Sequence, residues 1–300
     1  MEDFYTGILP LLLLFTTGWL LKRSGVFRKS DGDILLKAVF YLSLPALILK
    51  SLSSAELSEE YLFLPFIPPV VILISYLAAR IMVKILKLTS ERAGVFVVGS
   101  MILNIAFSLP FIIAVYGDEG LARIMIMDLG NGIMIFSFVY LQACKYGRGG
   151  QKRGSFFLRF LKAPPVWALL AALALNIAGF RFTGVAEKFL TLTGDLTIPL
   201  LMLSVGIFFE FRIIDLKSLV SLVFIRMGLG ALLAFVISQM LGLEGLTRMV
   251  VFLGVSTPIG YNTLTFSSVE KLDSEFAASA VSISILIGMV WYPVLIFLLN

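Results

Sequence analysis

Apolar segments recur along the whole chain, separated by short polar connections. Each segment is about 20 residues long, enough to cross a hydrocarbon core of roughly 30 Å at about 1.5 Å per residue. The pattern therefore predicts an all-α polytopic membrane protein with ten transmembrane helices. The predicted spans cover residues 4–21, 34–52, 61–84, 92–116, 120–143, 160–178, 188–209, 217–241, 246–268 and 274–298. The first span follows two acidic residues and lacks a basic start, so it is interpreted as a retained helix and not as a signal peptide.

The longest polar connection, "KYGRGGQKRG" at residues 145–154, divides the chain into halves. Shifting the first half by 154 to 156 residues aligns Pro10 with Pro165, Pro45 with Pro199, Leu88 with Leu243, Gly99 with Gly254, Ala122 with Ala277 and Gly132 with Gly288. We expect two five-helix repeats, residues 1–144 and 160–300, joined by a cytoplasmic linker at 145–159. Because five crossings is an odd number, the repeats are inverted, a plan that recurs in secondary transporters.

Lysine and arginine are distributed unequally between the two sets of connections. Basic residues cluster at 22–29, 80–92, 145–162 and 212–217 on one side, whereas the other side carries isolated ones such as Lys50 and Arg181. By the positive-inside rule the first side is cytoplasmic. The distribution predicts a multi-pass protein of the cytoplasmic membrane with both termini outside.

The amino-acid composition argues against several classes of function. Hydrophobic residues make up 59% of the chain and charged residues 14%, far below the share usual in soluble domains. The net charge of +5 is spread over short loops, which argues against a nucleic-acid partner and leaves membrane lipid as the surroundings. With no histidine and a single cysteine, Cys144, we expect no metal site and no cofactor other than a coupling Na⁺ or H⁺. No nucleophile motif or catalytic carboxylate pair is evident, so an enzyme is not expected.

Polar residues interrupt the fourth span of each half at mid-depth. The first half has Asn104, Ser108 and Pro110 in "SMILNIAFSLPFIIAVYG". The second half has Pro258, Tyr261, Asn262 and Thr263 in "LGVSTPIGYNTLTFSS". Proline disrupts helical hydrogen bonding, so we expect breaks near Pro110 and Pro258, in spans 4 and 9.

Unpaired backbone groups in hydrocarbon survive only where protein or a water-filled cavity satisfies them. Two breaks at equivalent depth therefore predict two crossed helices whose half-helix N-termini offer N–H groups to an anion. The seven polar and proline residues at the breaks are the expected substrate site. A pair of ordinary proline kinks, with the asparagines bonded to neighbouring helices, is the alternative for each span taken singly.

Three further intramembrane residues are candidates for function. Asp128 and Asn131 lie one turn apart on the fifth span, where the carboxylate is either a coupling site for Na⁺ or H⁺ or a group that faces interfacial water. Arg226 lies near the middle of span eight with no acidic neighbour at helical spacing. We expect it to pair with an aspartate on another span in preference to contacting a substrate directly.

Several segments in order along nearly the whole chain resemble one known family. They include "GWLLKRSGVFRKSDGDILLKAVFYLSLPALILKSL", "SLPFIIAVYGDEGLA", "DLTIPLLMLSVGIFF" and "STPIGYNTLTFSSVEKLDSEFAASAVSIS". Together they are similar to the auxin efflux carrier family of permeases, which includes the plant PIN transporters. Pro258 and Asn262 match the family's second crossover. The first crossover usually reads "NTGxxGxP" in the family, whereas this chain has "LNIAFSLP", with Asn104 one position nearer to Pro110 and Ser108 in place of a glycine.

The resemblance implies a fold similar to that of bile-acid sodium symporters, with a scaffold domain and a core domain that contains two crossed, broken helices. Spans 1, 2, 6 and 7 are the candidate scaffold, and spans 3–5 and 8–10 the candidate transport domain. The hypothesis is an elevator-type secondary carrier of a small organic anion such as a carboxylate. Paired scaffolds make a homodimer plausible.

The alternatives are a sodium- or proton-coupled symporter of bile-acid-like or other amphipathic acids, export without a coupling ion, and a channel. A proton would need Asp128 or another carboxylate, whereas sodium would use backbone carbonyls with Asn, Ser and Thr oxygens. An intramembrane enzyme should show a catalytic constellation, and a ligand-sensing receptor a sizeable output domain; the sequence shows neither.

Overall fold

A computed structural model describes residues 2–55, 59–148, 161–210 and 212–299. Within these ranges the chain is helical and contains no β-strand. We number the helices in chain order as α1 (Glu2–Arg23), α2 (Lys29–Ser54), α3 (Leu64–Leu86), α4 (Ser90–Met101), α5 (Ile105–Tyr146), α6 (Pro164–Ile177), α7 (Gly184–Phe208), α8 (Leu216–Met240), α9 (Gly245–Val255), α10 (Asn262–Val269) and α11 (Ser274–Leu299). The predicted linker lies outside the described residues from position 149 onwards.

Six of these helices, α2, α3, α5, α7, α8 and α11, are long and apolar enough to cross a membrane, and α6 and α9 are shorter apolar helices. The protein is therefore a multi-pass membrane protein, as its hydropathy predicts. Helix α5 comprises two helices that meet at a kink at Gly117, whose φ of 57° is left-handed. This kink separates the fourth and fifth predicted spans.

Ion pairs connect the end of α1, the start of α4 and the segments that flank α7, α8 and α11. Lys22, at the end of α1, pairs with Glu210 just after α7 at 3.1 Å. Arg92, in the first turn of α4, pairs with Asp215 before α8 at 3.3 Å and with Asp273 before α11 at 2.9 Å. All five residues belong to the connections that the basic clusters predict to share one side of the membrane.

A second set of contacts joins the opposite helix ends. Ser51, near the end of α2, donates a hydrogen bond to Asp118, beside the bend in α5, at 2.5 Å. Arg123 donates to the hydroxyl of Thr247, in the first turn of α9, at 2.9 Å. The connections thus form two groups, and most helices run from one group to the other.

The helix pair α1 and α7 packs at backbone distance. A Cβ atom at Gly18 would overlap the carbonyl oxygen of Leu203, and one at Gly206 would overlap the carbonyl oxygen of Phe15. Small residues permit this close approach between membrane helices. The pair α2 and α6 also packs together, and α5 contacts α1, α2 and α7.

Candidate functional site

The two interrupted helices meet at their breaks. Helix α4 ends at Met101 and α5 begins at Ile105, while α9 ends at Val255 and α10 begins at Asn262. Leu103 and Ile259 form an isolated antiparallel β-bridge between the two breaks, and the backbone N–H of Gly260 donates to the carbonyl oxygen of Ile102 at 3.3 Å. Each break therefore satisfies part of the backbone that the other exposes.

Asn104 ties the first break to the second. Its Oδ1 accepts a hydrogen bond from the backbone N–H of Phe107 at 3.2 Å, which caps α5, and its Nδ2 donates to the carbonyl oxygen of Ile259 at 3.0 Å. Its own backbone N–H donates to Oγ1 of Thr257 at 2.8 Å. The side chain is 3% exposed. In this conformation its hydrogen-bonding groups hold the crossing together.

The first break does not lie at Pro110, so the expected position was wrong. Pro110 is buried inside α5, six residues after Asn104. A proline there costs the hydrogen bond that the carbonyl of Ala106 would otherwise receive, and α5 continues through it. The helix stops earlier because residues 102–104 pair with the second break.

Ser108 also lies within α5, one turn after Asn104. Its hydroxyl is 2.6 Å from the hydroxyl of Tyr292 on α11, and both hydroxyls contact the carbonyl oxygen of Leu253 near the end of α9. The ring of Tyr292 packs edge-on against Phe107, with centroids 5.1 Å apart. Ser108 therefore belongs to a buried cluster that joins α5, α9 and α11.

The second break includes Pro258, where the sequence predicts it. Pro258 is buried against α11, where a Cβ at Gly288 would lie 2.5 Å from its Cγ. The next residue, Ile259, donates its backbone N–H to Oγ of Ser284 on α11 at 3.0 Å. Helix α11 thus supports the second break with a hydrogen bond and with a surface that needs a glycine.

The first turns of α10 carry polar groups that lack partners. The hydroxyls of Tyr261, Thr263 and Ser267 are buried, and none has a hydrogen-bond partner in the described part of the chain. Asn262 is half-buried beside them. The ring of Tyr261 lies 6.1 Å from that of Phe208 at the end of α7. Buried polar groups are normally paired, so each of these hydroxyls marks a position where a solute can supply the missing partner.

Asp128 and Asn131 reach the first break from α5. Asn131 donates through Nδ2 to Oδ1 of Asp128 at 2.7 Å and to the carbonyl oxygen of Leu103 at 3.4 Å. Its Oδ1 is buried without a partner among the described residues. The structure therefore places Asn131 against the backbone of the first break, with the partly exposed carboxylate of Asp128 bound to its amide.

Arg226 is a buried residue at the crossing whose partners the sequence does not reveal. Its side chain is fully buried, and no carboxylate pairs with it in the described ranges, so the expected aspartate partner is wrong. Its Nε donates to the carbonyl oxygen of Thr257 at 3.2 Å and its Nη1 to that of Ser100 at 3.4 Å. Its Nη2 donates to the carbonyl oxygen of Val255. The guanidinium therefore caps the C-terminal ends of both α4 and α9.

A cavity of about 410 Å³ lies away from the breaks, between α8 and α11. Its walls are apolar side chains such as Leu219, Val223 and Ile287, with Trp291 at one side. No charged group lines it, so it does not suit an anion. The paired breaks are the better candidate site because buried polar groups and a cation gather there.

Comparison with known proteins identifies the family of the chain. A family model described as "Membrane transport protein" matches residues 3–296. An uncharacterized transporter of Methanothermobacter thermautotrophicus is 28% identical over 294 residues, covering 95% of each chain. An uncharacterized transporter of Methanocaldococcus jannaschii is 26% identical over 299 residues, covering 95% of this chain and 96% of its own. The chain therefore belongs to the membrane transport protein family, the family of auxin efflux carriers that its sequence resembles.

Proposed function

We propose that the chain is a secondary carrier that moves a small organic anion, such as a carboxylate, across the cytoplasmic membrane. The observation that carries the proposal is the set of unpartnered, buried hydroxyls of Tyr261, Thr263 and Ser267 beside the paired breaks. A bound solute can give these groups the hydrogen bonds that they lack. Asn262 completes the site as a half-buried donor and acceptor.

The charge at the crossing favours an anion over a cation. Arg226 is buried there, and no carboxylate neutralises it within the described residues. The N-termini of α5 and α10 also meet at the crossing, where each adds a partial positive charge. Arg226 offsets the negative C-terminal ends of α4 and α9, so the two N-termini are left to offer N–H groups and partial positive charge to a carboxylate.

Two arrangements in the structure support inverted repeats of five spans. Helix α9 begins 155 residues after α4 and ends 154 residues after it, which is the predicted shift. The same shift makes span 1 (α1) correspond to span 6 (α6), and span 2 (α2) to span 7 (α7). The packed pair of α1 and α7 therefore corresponds to the packed pair of α6 and α2. Such symmetry lets one protein adopt outward-open and inward-open states.

The same helix pairs support an elevator in which spans 1, 2, 6 and 7 form a fixed scaffold. Glycine contacts hold α1 against α7 at backbone distance, so this pair resists relative motion. The remaining spans carry the paired breaks and move as the transport domain, with α5 at the boundary. The scaffold is also the proposed surface of a homodimer. The proposed orientation in the membrane places both termini outside.

Asp128 is the proposed proton site if transport is coupled, because Asn131 connects it directly to the first break. A carrier driven by this carboxylate would import or export its substrate with a strong pH dependence, and Asp128→Asn would remove that dependence. Uptake into proteoliposomes under an imposed pH gradient, with and without sodium, separates a proton-coupled, a sodium-coupled and an uncoupled carrier.

The test of the site is a thermal-shift screen of the purified protein against small mono- and dicarboxylates. Asn262→Ala should abolish stabilisation by the carboxylate that binds, while the apo protein stays folded. Asn176→Ala is the matched control, because the amide of Asn176 bonds to the carbonyls of Leu52 and Ala55, far along the chain from both breaks. It should lower the melting temperature and keep the ligand response. An unchanged response in Asn262→Ala would reject the site.

Counterflow distinguishes the carrier from a channel. Unlabelled substrate inside proteoliposomes should accelerate uptake of labelled substrate through a carrier, because each return of the site is faster when it is loaded. Flux that rises linearly with concentration, without counterflow, would show a channel instead.

A further inference from the structure

The resemblance to sodium symporters raises the question of whether a sodium ion fits the crossing. Sodium sites in carriers with broken helices use backbone carbonyls of the unwound segments and the C-terminal ends of half-helices. Three carbonyls of that kind meet here, those of Ser100, Val255 and Thr257. All three already accept hydrogen bonds from one guanidinium. The oxygen set that a sodium ion would need is therefore taken by a side chain.

We propose that Arg226 is a resident cation that replaces a coupling sodium ion at the crossing, so that this carrier works without sodium at that position. The proposal depends on the proposed function only in treating the protein as a carrier. The placement of the guanidinium on the two helix ends holds for any activity of the protein.

The electrostatics of the crossing explain why a cation belongs there. The C-terminus of each half-helix carries about half a negative charge, and α4 and α9 bring two such ends together in a buried place. Without a counter-charge these two ends repel each other and leave carbonyls unpaired. A guanidinium is always protonated and offers five N–H donors, so one side chain neutralises both ends and bonds to each.

The local structure of α8 places the side chain of Arg226 at the two helix ends. Arg226 lies in a π-helical segment, Phe224–Leu229, and such segments widen a helix and redirect its side chains. One turn later, a Cβ at Gly230 would lie 2.7 Å from the carbonyl oxygen of Val255 and 3.4 Å from Nη2 of Arg226. The glycine therefore lets α8 approach the end of α9 closely enough for the guanidinium to reach it.

The test compares cations by their effect on the melting temperature of the full-length protein in detergent, without any substrate. Sodium chloride and choline chloride are used at equal concentration, and binding of radioactive sodium is measured in parallel. For the wild type we expect the same melting temperature in both salts and no saturable sodium binding. A rise specific to sodium, or saturable binding, would overturn the proposal.

Removal of the resident cation should reopen the site to external ones. Arg226→Ala is expected to melt about 10 °C lower, because the two helix ends lose their counter-charge and three carbonyls lose their donors. Guanidinium at millimolar concentration, and sodium, should each recover part of that loss relative to choline. An unchanged melting temperature with no rescue would show that Arg226 does not have this role.

Matched variants keep the result interpretable. Arg80→Ala removes another arginine of a membrane helix, whose Nη1 donates to the hydroxyl of Tyr76 at 2.8 Å and not to helix-end carbonyls, so neither guanidinium nor sodium should rescue it. If Arg226→Ala does not fold, Arg226→Lys is the test, because it keeps a cation but offers fewer donors to the three carbonyls. It should fold and melt below the wild type, and a wild-type melting temperature would count against the proposal. Since no arm of the test contains a carboxylate, failure of the proposed anion site leaves this result intact.

Discussion

The side-chain amide of Asn104 donates a hydrogen bond across the crossing to the carbonyl oxygen of Ile259, at 3.0 Å. This single contact joins two segments that are 155 residues apart in the chain. It connects the cap of α5 to the extended backbone that precedes α10. The two breaks are therefore held to each other by a side chain as well as by their backbones.

Asn104→Ala should destabilise the protein by about 2–4 kcal/mol. The variant loses the cap of α5, worth about 1 kcal/mol, and leaves the carbonyl of Ile259 without its donor in a dry place. The melting temperature of the purified protein measures the loss. Asn104→Asp, which keeps the cap but has no N–H to donate, should be destabilised as well. Wild-type melting in both variants would mean that the two breaks are not held together by this side chain.

Gly260→Ala should separate the two breaks. A Cβ at this position would overlap Cγ2 of Ile102 and lie 3.3 Å from the carbonyl oxygen of Leu103, so the bridged segments must move apart. Overpacking of this kind costs about 1–3 kcal/mol. Gly99→Ala is the control in the same region, since its Cβ would meet Cγ2 of Ile259 only at 3.3 Å. Thermal melts of the two variants should differ clearly, and equal melts would contradict the close approach.

Asp215 gives the protein a pH-dependent contribution to stability outside the membrane. A hydrogen bond from the hydroxyl of Ser218, with help from the backbone N–H of that residue and from Arg92, holds the pKa of Asp215 below its ordinary value. A carboxyl with a lowered pKa in the folded state stabilises the protein above its unfolded pKa of about 3.9, and this contribution is lost as the pH falls through the folded pKa.

Asp215→Asn isolates that charge, because asparagine also caps helices and tolerates the left-handed φ of 55° at this position. The variant should be less stable at pH 7 by no more than about 1 kcal/mol, since the ion pair with Arg92 is partly exposed. The difference should begin to shrink near the unfolded pKa of about 3.9 and continue to shrink as the pH falls towards the lower folded pKa. Melting curves of both proteins from pH 3 to pH 8 check this, and a gap that widens in acid would reverse the sign of the argument.

The sequence predicts the existence of the breaks better than their position. Polar residues at mid-depth in two spans indicate both interruptions, and Pro258 locates the second. The first is misplaced by several residues because nothing in "SMILNIAF" marks Met101 as a helix end. That end depends on pairing with Ile259, a contact distant in sequence. The partners of Arg226 are missed for a similar reason, since backbone carbonyls at helix ends leave no signature in the side chains.

Tyr261→Phe and Thr263→Val should separate ligand binding from folding. Both hydroxyls are buried without partners among the described residues, so their removal takes away a desolvation cost and no hydrogen bond. The free energy of unfolding of the apo variants should therefore equal that of the wild type or exceed it by up to about 1 kcal/mol. Their apparent affinity for the carboxylate should fall at least about tenfold, or about 1.4 kcal/mol. Thermal shift against carboxylate concentration measures both quantities in one experiment.

Tyr292→Phe is the contrasting variant for that experiment, because it removes a hydroxyl that is fully used. The hydroxyl of Tyr292 bonds to Ser108 at 2.6 Å and to the carbonyl of Leu253, so its loss should lower the free energy of unfolding by about 1–3 kcal/mol. Its carboxylate affinity should stay within about twofold of wild type, since neither Ser108 nor Leu253 is among the residues of α10 with unpartnered hydroxyls. Equal losses of affinity in Tyr261→Phe and Tyr292→Phe would mean that the unpartnered hydroxyls have no special part in binding.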